Sequence, residues 1–351
     1  MKKNFKNLKI VVTGSTGFKG AWLCYWLNLL GGKVTGIGLK PEKNSIIFKA
    51  LMLEKKIDQK FIDIRYFNKL NNVIKKTKPD IIFHLAAQSI VSKSYEEPLE
   101  NFGTNIIGSV NILESVRVNK VPNLVYITSD KCYLNLNHKK SFKETDILGG
   151  IDNYSASKAS AEIVFSSYFN SYFKKKYLHT VSARAGNVIG GGDFKENRII
   201  PDIIKSLVDK KKIILRNPKA TRPWQHVLEP LSGYLTLADK ILNKNLKSSI
   251  QPSWNFGPYI RNCKNVNFIA KSVVKEWGGK NSKIIIKKNI DMKESLLLSL
   301  NIDKAKKELS WRPKLTLDET IAMTVSWYKS YFASQSLEDV TNNQINFYTD
   351  K

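Results

Sequence analysis

The run Leu8-Lys9-Ile10-Val11-Val12-Thr13-Gly14-Ser15-Thr16-Gly17-Phe18-Lys19-Gly20 decides how the rest of the chain is read. A short apolar segment, Lys9–Val12, leads into glycines at 14, 17 and 20 and then into a helical stretch, Lys19–Leu30. Gly14 permits a tight turn, Gly17 lets a pyrophosphate approach the backbone, and Gly20 lets the helix pack close to the sheet. The helix N-terminus supplies free N–H groups and the positive end of its dipole. A glycine-rich turn after a strand and before a helix is therefore read as a dinucleotide phosphate loop. Its expected contacts are Gly14, Thr16, Gly17, Phe18, Lys19 and Gly20.

Outward from this loop, β-rich and helical runs alternate. Strands are expected at Lys9–Val12, Lys33–Leu39, Phe61–Ile64, Ile81–Leu85, Leu124–Thr128 and Leu178–Ala183. Several are continuous apolar runs, as strands buried on both faces require. Helices are expected at Asn68–Lys76, Leu99–Asn119, Ser155–Phe173, Pro201–Val208, Leu228–Leu242 and Asp318–Ser334, with the last dozen residues polar and loosely held. Repeated strand–helix units imply an α/β fold, a doubly wound parallel Rossmann sheet. Loops marked by Gly190-Gly191-Gly192 and Arg222-Pro223-Trp224 make the second half less regular. The expected division is 1–187 plus roughly 227–255 for the cofactor domain. Roughly 188–226 plus 256–351 would form a smaller, discontinuous C-terminal substrate-binding domain.

The cofactor's ribose is less legible. The second strand ends in Gly38-Leu39-Lys40-Pro41, without the carboxylate that would accept a 2′-hydroxyl. NAD is the expectation, with NADP left open because Lys40 stands there. Asp63 and Ile64 are expected beside the adenine, and Leu85, Ala86 and Ala87 against the cofactor, where small residues permit close approach. His84 is read as a strand-end histidine satisfied by its neighbours, and Asn105 as a buried amide that holds the site's shape.

Tyr154-Ser155-Ala156-Ser157-Lys158 opens a helix, and a separation of four puts Tyr154 and Lys158 on one face. A nearby ammonium would favour the tyrosine's phenolate, which can take a hydroxyl proton as hydride leaves carbon. Lys158 is also placed to bind the cofactor's ribose. The fifth strand ends in Thr128-Ser129-Asp130-Lys131-Cys132-Tyr133. Ser129 is expected to bond the reacting hydroxyl. Asp130 and Lys131 add an acid–base pair, which water elimination requires and a plain epimerisation or reduction does not.

Composition narrows the alternatives. The 351 residues carry a formal charge of +27, with lysines spread along the chain and outnumbering arginines. Runs such as Lys210-Lys211-Lys212 and Lys174-Lys175-Lys176 lack the Arg and aromatic interleaving of a nucleic-acid reader, so no nucleic-acid partner is expected. No segment has the apolar length to span a membrane. Cys24, Cys132 and Cys263 are odd in number and far apart, so neither a disulfide framework nor a metal site is expected. A reducing cytoplasm is the expected compartment.

Taken together, these segments resemble the CDP-glucose 4,6-dehydratase family of the extended short-chain dehydrogenase/reductase class. The phosphate loop has that class's spacing. Further matching segments are Ala183-Arg184-Ala185-Gly186-Asn187-Val188-Ile189-Gly190-Gly191-Gly192-Asp193, Arg222-Pro223-Trp224-Gln225-His226-Val227-Leu228-Glu229-Pro230 and Trp254-Asn255-Phe256-Gly257-Pro258. The chain departs from the family at Ser15, where His is usual, at Tyr66, where Asp is usual, and around Met292-Lys293-Glu294. The resemblance implies a nucleotide-sugar substrate, CDP-glucose first, in deoxysugar biosynthesis for surface polysaccharide. An epimerase or a dehydratase of UDP-, GDP- or dTDP-sugars is the alternative, and a non-catalytic NAD(P)-binding protein the more distant one. It implies Tyr154 as base at the sugar's 4-hydroxyl, neutral Lys131 as base at carbon 5 and protonated Asp130 as acid at the 6-hydroxyl. Gln88, Arg184, Asn187, Arg198, Arg222 and Gln225 are the implied substrate contacts, with Trp224 either stacking or core and His226 paired with Glu229. A homodimer or dimer-based tetramer is implied, built on helices like Leu99–Asn119 and Ser155–Phe173.

Overall fold

A computed structural model describes residues 2–42, 45–136, 140–174, 179–246, 252–279, 282–287 and 298–351. Seven parallel strands form the central sheet: β1 Lys9–Thr13, β2 Lys33–Gly38, β3 Asp58–Phe61, β4 Ile81–His84, β5 Asn123–Ile127, β6 His179–Ala185 and β7 Ser253–Phe256. Their order is β7-β6-β5-β4-β1-β2-β3. Strands β4, β5 and β7 are buried along their whole length, which explains their apolar runs. One large core covers one face through Trp22, Trp26, Trp254 and Trp327, and a second, with Ile112, Val116, Phe165 and Phe169, covers the other. Chain order reverses between β1 and β4, so a crevice opens beyond their C-terminal ends.

Four details differ from the sequence expectation. The third strand lies three residues earlier than Phe61–Ile64. It is the polar edge segment Asp-Gln-Lys-Phe, recruited by backbone pairing with Thr35–Gly38 rather than by an apolar pattern. The expected helices Leu99–Asn119 and Ser155–Phe173 each contain a π turn, at Gly103–Ile107 and Phe169–Phe173. The strand β7, hidden in a Ser-Trp-Asn-Phe segment, completes the sheet beside β6. The expected beginning of β6 at Leu178, Lys175 and Lys176 of the 174–176 lysine run and the Met292-Lys293-Glu294 departure lie outside the described residues.

The C-terminus is also not loosely held. Leu337–Asp350 is a helix capped by Ser336, and it buries Ile345 and Tyr348. Its Tyr348 hydroxyl donates to Glu229 at 2.8 Å and pairs with Ser232 at 2.7 Å. Lys56 and Tyr25 tie the same helix to the cofactor half through Glu338 and Asn342. Removing the hydroxyl leaves a buried Glu229 oxygen without its donor. Tyr348→Phe is therefore expected to cost about 1–3 kcal/mol in urea unfolding. A midpoint equal to the parent's would contradict this tie.

No helix among the described residues is long and apolar enough to cross a membrane. Among them, too, no group of three or more His, Cys, Asp or Glu side chains is placed to hold a metal ion. Cys24 and Cys132 are buried free thiols, and Cys263 is a half-buried one.

Candidate active site

The glycine loop is drawn tight against the end of β4. Gly14 has φ +75°, and a Cβ there would lie 2.8 Å from the Ala86 nitrogen. A Cβ on Gly20 would lie 2.0 Å from the Gly14 carbonyl oxygen, so only glycine lets the helix start where it does. That helix, α1 Phe18–Leu29, is capped by Gly17 with no side-chain bond, which leaves first-turn N–H groups for an anion. Leu85, Ala86 and Ala87 stay half-exposed at the crevice. His84 is internal: its Nδ1 meets the Thr13 hydroxyl at 2.8 Å, and that hydroxyl also accepts from the Ala86 N–H. Ser15 points away from the loop to Gln59. This cradle, whose floor a side chain would fill, fits a dinucleotide.

Asp63 follows β3, but its carboxylate is held by Arg65 at 2.9 and 2.6 Å. Ile64 is 4% exposed and packs against Gly108, while its carbonyl accepts from Asn111, so its side chain is core rather than a cofactor contact. Asn105 lies in the first π turn and bonds Gln88 in both directions, at 2.8 and 3.0 Å, as well as the Ser157 hydroxyl. It joins the end of β4 to the tyrosine-bearing helix.

Beyond β5, the residues Asp130–Cys132 form one 3-10 turn capped by Ser129. The Ser129 hydroxyl donates to Asp130 Oδ1 at 3.0 Å and accepts from the Lys131 N–H. Asp130 is 2% exposed, and its Oδ2 has no hydrogen-bond partner among the described residues. Burial pushes its carboxyl up to about 6 against the opposing pull of Lys131, the Ser129 bond, Arg222 and Lys19. Tyr154 stands at the start of α2, Asn153–Tyr168, whose N-cap Asp152 accepts from the Ser155 N–H at 2.9 Å. The amines of Lys131 and Lys158 lie 6.0 and 5.9 Å from its ring centre.

The tyrosine's charge state differs from expectation. Burial raises the Tyr154 phenol to about 12, and Ser129 and Arg198 only partly offset this. Lys158 is itself drawn down to about 8 by burial and by Lys19, which weakens its hold on a phenolate. In the ligand-free protein the phenol dominates.

One residue of this region has a signal that the motif reading passes over. Glu162 lies four residues after Lys158, on the same helical face. It is 1% exposed and accepts from Thr128, from Ser182 at 2.5 Å and from Arg184 at 2.7 Å. Arg184, expected at the substrate, is thus turned inward. It also bonds Tyr133 and the Glu144 carbonyl, because a guanidinium on a central strand must be paired inside. Asn255 on β7 extends this network, accepting from the Tyr133 hydroxyl at 2.7 Å and donating its N–H to Glu144. The network clamps the segment that carries Asp130 and Lys131.

Other expected substrate contacts separate into two groups. Gln88 is buried and folds its amide onto the Ile90 backbone. Trp224 is 3% exposed and bonds the Lys264 carbonyl, so it is core. His226 accepts from Leu228, whereas Glu229 is occupied by Tyr348 and the N–H groups of Lys314 and Leu315, so the two are not a pair. Arg198 and Asn187 remain half-exposed, and Arg198 bridges Asp193 at 2.7 Å and Ser89 at 2.8 Å. Arg222 is buried within the field of Asp130. Gln225 is buried too, with Oε1 unpartnered among the described residues.

The sequence profile described as GDP-mannose 4,6 dehydratase matches residues 11–324. The chain is 40% identical over 353 residues to a CDP-glucose 4,6-dehydratase of Salmonella typhimurium, covering 99% of this chain and 98% of that protein. Among solved structures it resembles a dTDP-glucose 4,6-dehydratase of Bacillus anthracis in complex with NAD, with TM-score 0.78 and 23% identity over 93% of this chain and 98% of that one. It also resembles a UDP-glucose 4-epimerase of Thermotoga maritima with UDP-glucose, with TM-score 0.79 and 23% identity over 92% of this chain and 99% of that one. At that identity the two structures speak for the fold.

Proposed function

The chain belongs to the GDP-mannose 4,6 dehydratase family, and from that premise we propose that it converts CDP-glucose to CDP-4-keto-6-deoxyglucose with NAD. One observation carries the reading: a buried acid, Asp130, and two amines, Lys131 and Lys158, converge on Tyr154 at the mouth of a dinucleotide cradle. The relative at 40% identity supports the choice of CDP-glucose.

Bound in the cradle, NAD supplies the acceptor for the hydride from carbon 4 and the donor that returns it at carbon 6. Tyr154 takes the 4-hydroxyl proton. The resulting ketone acidifies the hydrogen on carbon 5, which Lys131 removes. Asp130 gives its proton to the leaving 6-hydroxyl, for which its raised value suits it. Lys158 would hold the ribose of bound NAD, and Arg198, Arg222, Asn187 and Gln225 would line the nucleotide's approach. The proposed division keeps 1–187 plus roughly 227–255 as the cofactor half. A homodimer is proposed through the helices that expose Leu99, Ile107 and Ile163.

The protonation states give a pH dependence. Turnover needs Asp130 protonated and Tyr154 deprotonated. Below about 6, Asp130 is already protonated, while the phenolate fraction falls tenfold per unit. Above it, loss of the Asp130 proton offsets the gain in phenolate. The slope of log kcat/KM against pH is therefore expected to fall by about one on passing through pH 6. In Asp130→Asn that change of slope should vanish. A parent profile without a break between pH 5 and 7 (~two units around the expected value) contradicts the assignment.

The activity test offers CDP-, dTDP-, GDP- and UDP-glucose separately. Loss of one water from the CDP-sugar, read by mass and alkaline absorbance without net cofactor reduction, supports the reading. Inversion at carbon 4 without water loss would make the protein an epimerase and remove the roles of Asp130 and Lys131.

A further inference from the structure

We infer that Thr128 and Tyr133 are positioning residues for water elimination: they hold the two partners of one buried ion pair, Glu162 and Arg184, and so fix the turn that carries Asp130 and Lys131 between them. This rests on the dehydratase reading above. The two residues flank the turn in sequence. Thr128 is 5% exposed and donates its hydroxyl to Glu162 Oε1. Tyr133 is 1% exposed; its hydroxyl accepts from Arg184 Nη1 at 2.9 Å and donates to Asn255 Oδ1 at 2.7 Å. Glu162 and Arg184 meet each other at 2.7 Å. The circuit Thr128–Glu162–Arg184–Tyr133 is therefore closed, and the turn is the length of chain that it spans.

A single 3-10 turn has poor hydrogen-bond geometry of its own, so its shape is set from outside. The Tyr133 side supplies more than one bond. Its ring stacks on Phe142 at 5.1 Å and 6°, and the Arg184 guanidinium lies 5.0 Å from the ring centre. Its backbone pairs with Leu148, and the Cys132 carbonyl accepts from the Gly149 N–H at 2.9 Å. Glu162 belongs to α2, the helix that carries Tyr154 and Lys158, so the circuit also sets how far the acid–base turn stands from the tyrosine. Tyr154 itself is held separately: its helix is capped by Asp152, and Ser157 and Asn153 are tied to Asn105 and the Ser94 carbonyl. Loosening the turn should therefore disturb elimination more than oxidation at carbon 4.

The test compares the NAD-loaded parent with Thr128→Val, Tyr133→Phe and Thr128→Ser on CDP-glucose. Single-turnover absorbance of reduced nicotinamide follows oxidation, and product mass follows water loss. Thr128→Val and Tyr133→Phe, one at each end of the turn, are expected to slow water loss by about 10- to 100-fold while oxidation stays within about threefold of the parent. Reduced nicotinamide should then build to a larger transient than the parent's. Thr128→Ser keeps the hydroxyl and should restore the parent's ratio of the two rates. Water loss at the parent's rate in either variant, or equal slowing of both steps, overturns the inference. Should the parent leave CDP-glucose intact, the dehydratase reading fails, and aspartate labelled with 13C at its carboxyl decides the role of the circuit. The Asp130 resonance is the one absent from Asp130→Asn. Displaced or broadened in both variants, it upholds the circuit's hold on the turn; unchanged in either, it overturns it.

Discussion

Lys131→Met is expected to lower the rate of water loss by about 10²–10⁴ while leaving oxidation at carbon 4 running. The side chain keeps its length and loses its amine, so the carbon 5 proton has no acceptor. Reduced nicotinamide absorbance should then accumulate to a plateau set by the enzyme concentration. Tyr154→Phe should fail earlier. Without the phenol no group takes the 4-hydroxyl proton, and neither reduced nicotinamide nor product should appear. The pair separates two roles that lie only 6.0 Å apart in the structure. A Lys131→Met enzyme that dehydrates at the parent's rate would remove that residue from the chemistry.

Glu162→Ala is expected to destabilise the fold by about 3–5 kcal/mol, measured by chemical unfolding. The substitution leaves the Arg184 guanidinium, 4% exposed, without its counter-ion, and leaves the Thr128 and Ser182 hydroxyls without an acceptor. Burial alone would push the Glu162 carboxyl up. The charge and hydrogen bonds of Arg184, with those of Ser182 and Thr128, outweigh it and hold the group below its ordinary range. A carboxyl depressed in the folded state contributes stability that is present above the unfolded value, about 4.3. That contribution is lost as pH falls through the folded value. The difference between parent and Glu162→Ala should therefore shrink toward acid. A difference that is constant from neutral pH to pH 3 (~one unit below the unfolded value) would place the cost in packing rather than in the ion pair.

The parts that were legible in the sequence are those governed by local rules. Gly14, Gly17 and Gly20 announced the loop, and at 14 and 20 only glycine fits because backbones nearly touch. The Tyr154–Lys158 spacing announced a shared helical face. Partnerships between distant segments were not legible. Arg184 reads equally well as a phosphate ligand or a buried ion-pair member, and only the fold brings it to Glu162, across 22 residues of chain. Edge strand β3 has no apolar pattern to find. The last helix looked polar because Tyr348 and Ile345 are sparse among exposed side chains, and the Tyr348 hydroxyl is satisfied inside by Glu229, which lies 119 residues away. The charge state of Tyr154 escaped for a related reason: spacing reports that a cation is near, but not how far water is excluded.

The central claim is that one hydride leaves carbon 4 and returns at carbon 6 of the same sugar while Lys131 and Asp130 remove water between them. CDP-glucose carrying deuterium at carbon 4 tests it directly. The account predicts a 4-keto-6-deoxy product with that deuterium in the new methyl group and a solvent-derived hydrogen at carbon 5. Deuterium retained at carbon 4, or lost to solvent with no methyl label, would contradict it.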